Sequence, residues 1–230
     1  MAAPDPSSQV ARRAGRGDGF FITVEGADGV GKSTQIERLA TLLRGAGHDV
    51  VTTREPGGAP GAEEIRSLLV TGGKDRWSPL TEALLMSAAR ADHLEKTIRP
   101  ALARGAIVIS DRFADSTTAY QGIAGSLGRA ATDTLQGIVV GDEMPDLTLI
   151  LDAPSDLSLA RAKTTTASGA QEDRFEEKGA HFQEDVRKAF LAIAASAPSR
   201  CAVIDAAADI DAVETQISSI VKERFPELFK

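Results

Sequence analysis

Residues 26–33, GADGVGKS, set Gly26, Gly31, Lys32 and Ser33 in the pattern G-x-x-x-x-G-K-[ST]. The chemistry this spacing serves is the holding of phosphates. Glycines let backbone N–H groups turn inward around a phosphate chain, and a helix N-terminus behind them adds favourable partial charge. Lys32 then reaches the β- and γ-phosphates, and the Ser33 hydroxyl is offered to Mg²⁺. The expected ATP-phosphate cradle is Gly26, Ala27, Asp28, Gly29, Val30, Gly31, Lys32, Ser33 and Thr34. The pattern has meaning only between a strand and a helix. FFITVE (20–25) precedes it, and Ile36, Leu39, Ala40 and Leu43 follow at helical spacing.

Two more charged stretches each follow an apolar run: Arg54-Glu55, stiffened by Pro56-Gly57-Gly58, and Asp111-Arg112-Phe113. A fourth run ends in Asp152. Taken singly, such charges read as surface ion pairs or caps of little energetic weight. In an open α/β sheet, however, ligands bind beyond the carboxyl ends of the strands. Together with the phosphate loop, Arg54 and Arg112 therefore point to a second phosphate site, and arginine suits it because its planar donors grip a phosphate two at a time. On the long helix opened by Ser78-Pro79, Met86 and Arg90 lie one turn apart on one face. They read either as a thioether and a guanidinium holding a flat base, or as a packing residue and a solvated arginine. His93, on the same stripe, reads as structural or exposed.

These side chains need a scaffold to position them. Five short runs suit buried strands: 20–25, DVVTT (49–53), AIVIS (106–110), LTLIL (147–151) and CAVID (201–205). Helical patterns alternate with them, which implies a five-stranded parallel α/β sheet with helices on both faces. The long helix is expected to bury Leu84, Ala88, Ala91, Leu94, Ile98 and Leu102, and the last helix carries Ile210, Val213, Ile217, Ile220 and Val221. The 230 residues and 42% hydrophobic content fit one domain over 19–230. Residues 1–18, small, polar and Pro/Gly-rich, read as a disordered tail. No apolar run reaches membrane-spanning length. A net charge of −7 excludes a broad basic nucleic-acid footprint. The single Cys201 reads as a small core residue and fits a reducing, cytoplasmic setting. No N-K-x-D-type guanine reader is present, which favours a small-molecule kinase over a GTPase.

GADGVGKST, TREPGG, LLMSAARADH, DRFADSTTAYQG and PDLTLILD, in this order and spacing, resemble thymidylate kinase from about Phe20 to the C-terminus. The resemblance implies the P-loop NTPase fold and transfer of the ATP γ-phosphoryl to dTMP, giving dTDP and ADP, with Mg²⁺ and a helix-packed homodimer. It places Arg54 and Arg112 on the dTMP phosphate, Arg90 on the thymine edge, and Met86 over the base. It puts Asp28 near the 3′-OH, Tyr120 beneath the sugar as the wall against a 2′-OH, and Gln121 along the base pocket, with Glu55 and Thr117 in the same site. It makes residues 164–173 a short mobile lid over ATP. Glu55 is expected to orient Arg54, and a cis Glu55–Pro56 bond is expected with it.

Transfer between phosphates sets its own demands. The acceptor oxygen belongs to a monoester whose second pKa is about 6, so it is already largely a dianion and needs no general base. The difficulty is repulsion between anions. Lys32, Arg112 and the lid cations are the expected catalytic stabilisers, while Ser33 and Asp111 serve Mg²⁺ or, for Asp111, the orientation of Arg112. Three departures from the family stand out. Gly29 occupies a place where some members carry arginine; the lid is poor in cations, leaving Arg161, Lys163 and Arg174 as candidates; and Met86 replaces a frequent phenylalanine. The alternatives are a kinase for another nucleoside monophosphate and a nucleotide-binding switch without catalysis.

Overall fold

In the computed structural model the described residues are 18–73, 76–166 and 179–230, with 163–166 described by backbone alone. The expected tail falls outside them except for Asp18, and so does most of the expected lid. Strand β1 (Phe20–Glu25) leads through the phosphate loop into α1 (Lys32–Gly45); β2 (Val50–Arg54) is followed by α2 (Pro60–Val70) and α3 (Pro79–His93). A π-helical turn, Leu94–Ile98, joins α3 to α4 (Arg99–Ala103), which leads to β3 (Ile107–Asp111). Next come α5 (Ala114–Thr117), a second π-helical turn (Thr118–Ile123), α6 (Arg129–Val139) and β4 (Leu147–Asp152). The remainder is α7 (Ser155–Thr166), α8 (Ala180–Ser196), β5 (Cys201–Asp205), α9 (Ile210–Arg224) and a closing 3₁₀ turn, Pro226–Phe229.

The five strands form one sheet in the order β2-β3-β1-β4-β5, parallel throughout, as expected. Alternation along β1 divides the core. Phe20, Ile22 and Val24 pack with α1 and α9 on one face, while Phe21 packs on the other with the α3–α4 segment and Phe113. Val186, Phe190 and Ile193 of α8 complete that second face around Tyr120 and Cys201. Burial on both faces explains why the strands read as unbroken apolar runs. Three strands differ slightly from expectation: β2 and β3 start one residue later, and β2, β3 and β4 each end by including a charged residue, Arg54, Asp111 and Asp152.

The long helix corrects one expectation. Ser78 caps α3 by accepting the Thr81 N–H (3.2 Å), but Leu84, Ala88 and Ala91 face solvent. The inward positions are Glu82, Ala83, Ser87, Arg90 and His93, one residue out of phase with the apolar stripe. A polar face is buried here because its side chains find internal partners, Arg90 and His93 at Glu55 and Glu82 at Gln121, and apolar character alone does not choose the inner face. Leu94, Ile98 and Leu102 are buried as expected. The π-helical turn lies just before Pro100, whose missing N–H cannot continue the regular ladder. In α9, Val213, Ile217 and Val221 are buried, but Ile210 stands in solvent.

Candidate active site

The loop between β1 and α1 turns on glycine conformations. Gly29 has φ +79°, and a Cβ there would meet the Ser158 carbonyl oxygen of α7 at 2.1 Å, so the loop and α7 touch through backbone. Lys32, the first residue of α1, is 8% exposed. Its Nζ donates to the carbonyls of Ala27 (2.9 Å) and Gly26 (3.3 Å) and lies 3.8 Å from Asp28. Burial and the neighbouring Arg112 lower the pKa of this ammonium, with Asp28, Asp111 and Glu25 opposing.

Arg112 follows β3 with φ +68°, a conformation that costs a non-glycine residue about 1–2 kcal/mol. It is held there by its own N–H to the Val24 carbonyl (3.0 Å). The guanidinium donates from Nη1 to the Gly26 carbonyl (3.0 Å) and Ser116 Oγ (3.1 Å), and from Nη2 to Asp28 Oδ1 (2.5 Å) and the Tyr120 hydroxyl (3.2 Å). Its plane covers the Tyr120 ring at 5.1 Å. Burial alone would raise the Asp28 carboxyl, but Arg112 and Lys32 outweigh it and hold the group below its ordinary value. For Arg112, burial is outweighed in turn by Tyr120, Asp28, Asp111 and Glu25, and the guanidinium stays firmly charged. The carboxylate that meets the Arg112 guanidinium directly is therefore Asp28. Asp111, expected to serve Mg²⁺ or to orient Arg112, faces Ser33, whose Oγ lies 3.5 Å from its Oδ2.

The end of β2 lies beside the end of β3, where Arg54 and Asp111 are register partners. Arg54 is held by Glu63 of α2, with Nη2 3.2–3.3 Å from both carboxylate oxygens, and not by Glu55. Glu63 also takes the Gly58 N–H at 2.9 Å; that bond, with Arg54 and Arg66 assisting against burial, holds its carboxyl below the usual range. Glu55 is turned inward. Its carboxylate receives Arg90 Nε (2.8 Å) and faces His93 Nδ1 (3.1 Å), all three side chains being buried. The correction has a physical reason: consecutive residues at a strand end point to opposite faces, so neighbours in sequence do not pair. The Glu55–Pro56 bond is cis, as expected. Gly58, at φ +81°, admits no side chain, since a Cβ would lie 2.4 Å from Thr53 Oγ1 and 2.5 Å from His93 Nε2. His93 is thus structural, with Nε2 2.7 Å from Thr53 Oγ1.

Arg90, on α3, is buried rather than solvated. Beyond Glu55 it donates from Nη2 to the Phe113 carbonyl and to Thr117 Oγ1, both at 3.0 Å, and stacks over Phe113 at 5.1 Å. Among the described residues Nη1 has no hydrogen-bond partner. Met86 is half-buried one turn away. Gln121 Nε2 reaches Glu82 Oε2 at 3.4 Å, and the Tyr120 hydroxyl also lies 3.3 Å from Asp28 Oδ2. Asp152 is engaged by Arg187 of α8 through two bonds (2.7 and 2.9 Å), so it does not join the cluster. Arg161, on α7, donates from Nη1 to the Ala206 carbonyl at 2.8 Å. The Lys163 side chain and Arg174 lie outside the described residues.

Two carboxylates of this site were absent from the sequence reading. Glu63 could have been found as an acid in the first turn after Pro60. Glu25 could have been found as the one charge in the buried strand FFITVE. It is fully buried, and burial, reinforced by Asp115, pushes its carboxyl up to about 8 against the opposing Ser116, Arg112 and Phe113 contacts.

For a divalent cation, the test is whether Ser33 and Asp111 offer suitable groups. Asp111 Oδ1 is buried with no hydrogen-bond partner among the described residues, and Ser33 Oγ adjoins Oδ2 of the same carboxylate. A hydroxyl and a carboxylate suit Mg²⁺, which is bound by few protein ligands plus waters and phosphate oxygens. Among the described residues no set of three or more His, Cys, Asp or Glu could cage a metal by itself.

The family profile described as Thymidylate kinase matches residues 24–217. A thymidylate kinase of Caulobacter vibrioides is 56% identical over 206 residues, covering 90% of this chain and 97% of its own. One of Ruegeria pomeroyi is 52% identical, covering 89% and 95%. Among solved structures, the thymidylate kinase from Ehrlichia chaffeensis superposes with a TM-score of 0.69 at 35% identity, covering 89% of this chain and 98% of its own.

Proposed function

The chain belongs to the thymidylate kinase family, and from that premise we propose that it transfers the γ-phosphoryl group of ATP to the phosphate of dTMP, giving dTDP and ADP. The observation that carries the assignment of sides is the Arg112–Asp28–Lys32 cluster, in which one loop carboxylate adjoins two cations. Lys32 and the loop amides serve the ATP phosphates. Arg112 and Arg54, at the ends of β3 and β2, serve the phosphate of dTMP. Repulsion between donor and acceptor is thereby reduced by fixed charges that need no reorganisation during transfer. Ser33 and Asp111 would hold Mg²⁺, which when bound would offset phosphate charge. No side chain is asked to remove a proton, because the acceptor is already a dianion at neutral pH.

The base and sugar occupy the wall between α3 and the Thr118–Ile123 turn. Arg90 presents Nη1 to the thymine edge while Glu55 and Thr117 fix its other donors. Met86 covers the base, Gln121 lines the pocket, and Tyr120, braced by Asp28, closes the space a 2′-OH needs. Thymine differs from uracil by one methyl, worth about 1–3 kcal/mol in a fitted pocket, so dUMP is a slow substrate. Arg161, Lys163 and Arg174 are the candidates for the cations that meet the ATP phosphates.

A second copy of the chain covers the solvent-facing side of α3. Leu80 and Leu84 are 51% and 49% exposed there, next to exposed Ala88 and Ala91. Leu68 of α2 and Ile138 of α6, two helices that pack on α3, are exposed as well. A patch of this kind marks an interface, and we assign it to a homodimer that works in the cytoplasm. Sedimentation of the wild type and of Leu84→Glu tests the dimer. ADP release with dTMP, dUMP, dCMP, UMP, AMP and GMP tests the activity. Preference for another base overturns the dTMP assignment, and ATP binding without turnover overturns catalysis.

A further inference from the structure

Glu25 ends β1 immediately before the phosphate loop, and the activity described above makes no use of it. It shares a strand face with Phe21 and Thr23, so its side chain enters the layer that holds Phe113. Oε1 accepts the Phe113 N–H at 2.8 Å, and Oε2 accepts the Ser116 hydroxyl at 2.6 Å. The Ser116 oxygen in turn accepts Arg112 Nη1 at 3.1 Å. A chain of bonds thus runs from the Arg112 guanidinium through Ser116 to the buried acid. The backbone of the same bend is bracketed as well. Val24 takes the N–H of Arg112, and Glu25 takes that of Phe113, the next residue. Two consecutive residues of the central strand therefore hold both sides of an arginine that sits at φ +68°. A left-handed non-glycine residue persists only where its surroundings over-determine it.

We propose that Glu25 is a positioning residue for the acceptor phosphate: it fixes the bend and the Ser116 hydroxyl so that Arg112 is presented to dTMP, and does so without touching the substrate. The inference rests on the reading of Arg112 as an arginine of the acceptor phosphate. Glu25→Gln keeps the size of the side chain but replaces an acceptor oxygen with an N–H donor. If the amide nitrogen faces Ser116, it competes with Arg112 for the Ser116 lone pairs; if it faces Phe113, the backbone N–H loses its acceptor. Glu25→Asp retains a carboxyl on a shorter stem.

The test is steady-state kinetics of the full chain, with dTMP varied at saturating ATP and ATP varied at saturating dTMP. Losing one buried hydrogen bond predicts that Glu25→Gln lowers kcat/KM for dTMP by about tenfold. The KM for ATP stays within about twofold. Glu25→Asp recovers part of the loss, and Ser116→Ala, which breaks the chain at its half-buried link, reproduces the selective effect even where the buried variant folds poorly. Combining Glu25→Gln with Arg112→Lys gives less than the product of the single losses, as expected of residues acting through one another. Equal loss toward both substrates, or no loss in Glu25→Gln and Ser116→Ala, overturns the inference. Arg112→Ala alone separates the two readings. If it leaves dTMP kinetics intact, the acceptor assignment of Arg112 is wrong; if it impairs them while the Glu25 and Ser116 variants do not, only the role of Glu25 is.

Discussion

Arg112 Nη2 and Asp28 Oδ1 meet at 2.5 Å, joining the end of β3 to the phosphate loop. On the proposed assignment of Arg112 to the acceptor phosphate, the phosphate loop also carries the carboxylate that aims it. Asp28 lies 3.8 Å from Lys32 as well, so one group adjoins the cations of both sides. On that assignment, the arrangement would tie donor and acceptor positions to a common reference, which is what an in-line transfer between two phosphates requires.

Asp28→Asn keeps the shape of the side chain and removes its charge. Arg112 then loses its charged partner, and Tyr120 loses one of the groups its hydroxyl meets. A hydrogen bond to a charged group contributes about 1.5–3 kcal/mol, so kcat/KM for dTMP should fall by roughly 10- to 100-fold. Steady-state assays with dTMP as the varied substrate measure this. An unchanged value means that the Arg112 orientation is set without Asp28.

Glu55 shows its importance in stability before it shows it in rate. Its carboxylate meets Arg90 and His93 with side-chain exposures of 4%, 3% and 0%. Removing one member of a buried ion pair strands the other charge and costs about 3–5 kcal/mol. Glu55→Ala is therefore expected to lower the urea midpoint sharply and to loosen Arg90. Glu63→Ala, which releases the half-exposed Arg54, should move the midpoint far less. A Glu55→Ala midpoint close to wild type would contradict the buried pair.

The sheet was readable because its runs are short, apolar and β-branched, and the phosphate loop because its spacing is demanded by phosphate geometry. Arg54 and Arg112 stood out by their place after the strand runs, and Arg90 by its motif. Their partners were not. Glu63 is nine residues from Arg54, Glu55 is 35 from Arg90, and Asp28 is 84 from Arg112. Which acid meets which base depends on the face each side chain leaves by, and sequence adjacency misled at Glu55. The phase of α3 was missed for a related reason: its most apolar stripe, Leu84, Ala88 and Ala91, lies in solvent, while Glu82, Arg90 and His93 are buried. A hydrogen-bonded polar interior and an exposed apolar surface exchange the usual meanings of polar and apolar.

Gly29 is expected to reject the arginine that some relatives carry there. At φ +79° any L side chain is strained, and a Cβ would meet the Ser158 carbonyl at 2.1 Å and the Ala162 nitrogen at 2.7 Å. Both contacts are backbone, so α7 must move. The left-handed conformation alone costs about 1–2 kcal/mol. Gly29→Ala should therefore lower the melting temperature and raise the KM for ATP, because the loop and α7 shift together. Calorimetry and ATP titration check this, and a variant with wild-type values would show that α7 yields freely.

Glu25 gives stability a pH dependence of defined sign. Its carboxyl is raised from an ordinary 4.5 to about 8 in the folded protein. Between those values the folded chain keeps a proton that the unfolded chain has released, so the folded state binds more protons and stability falls as pH rises. The stabilising contribution is complete below the unfolded value and is lost as pH passes through the folded one. The charged and titratable groups facing Glu25 are Asp115, Arg112, Lys32, Arg200 and Cys201. Burial pushes the Cys201 thiol up to about 11, outside this window. Asp28 and Glu63, whose carboxyls are lowered, act in the opposite sense and only in acid. Glu25→Gln carries no titrating proton at this position, so its melting temperature should decline less than that of the wild type from pH 5 to pH 8. Parallel melting curves at intervals across that range measure the difference. Two profiles that run parallel would mean that Glu25 is ionised throughout, and that Arg112 and Phe113 outweigh the cost of burying its charge.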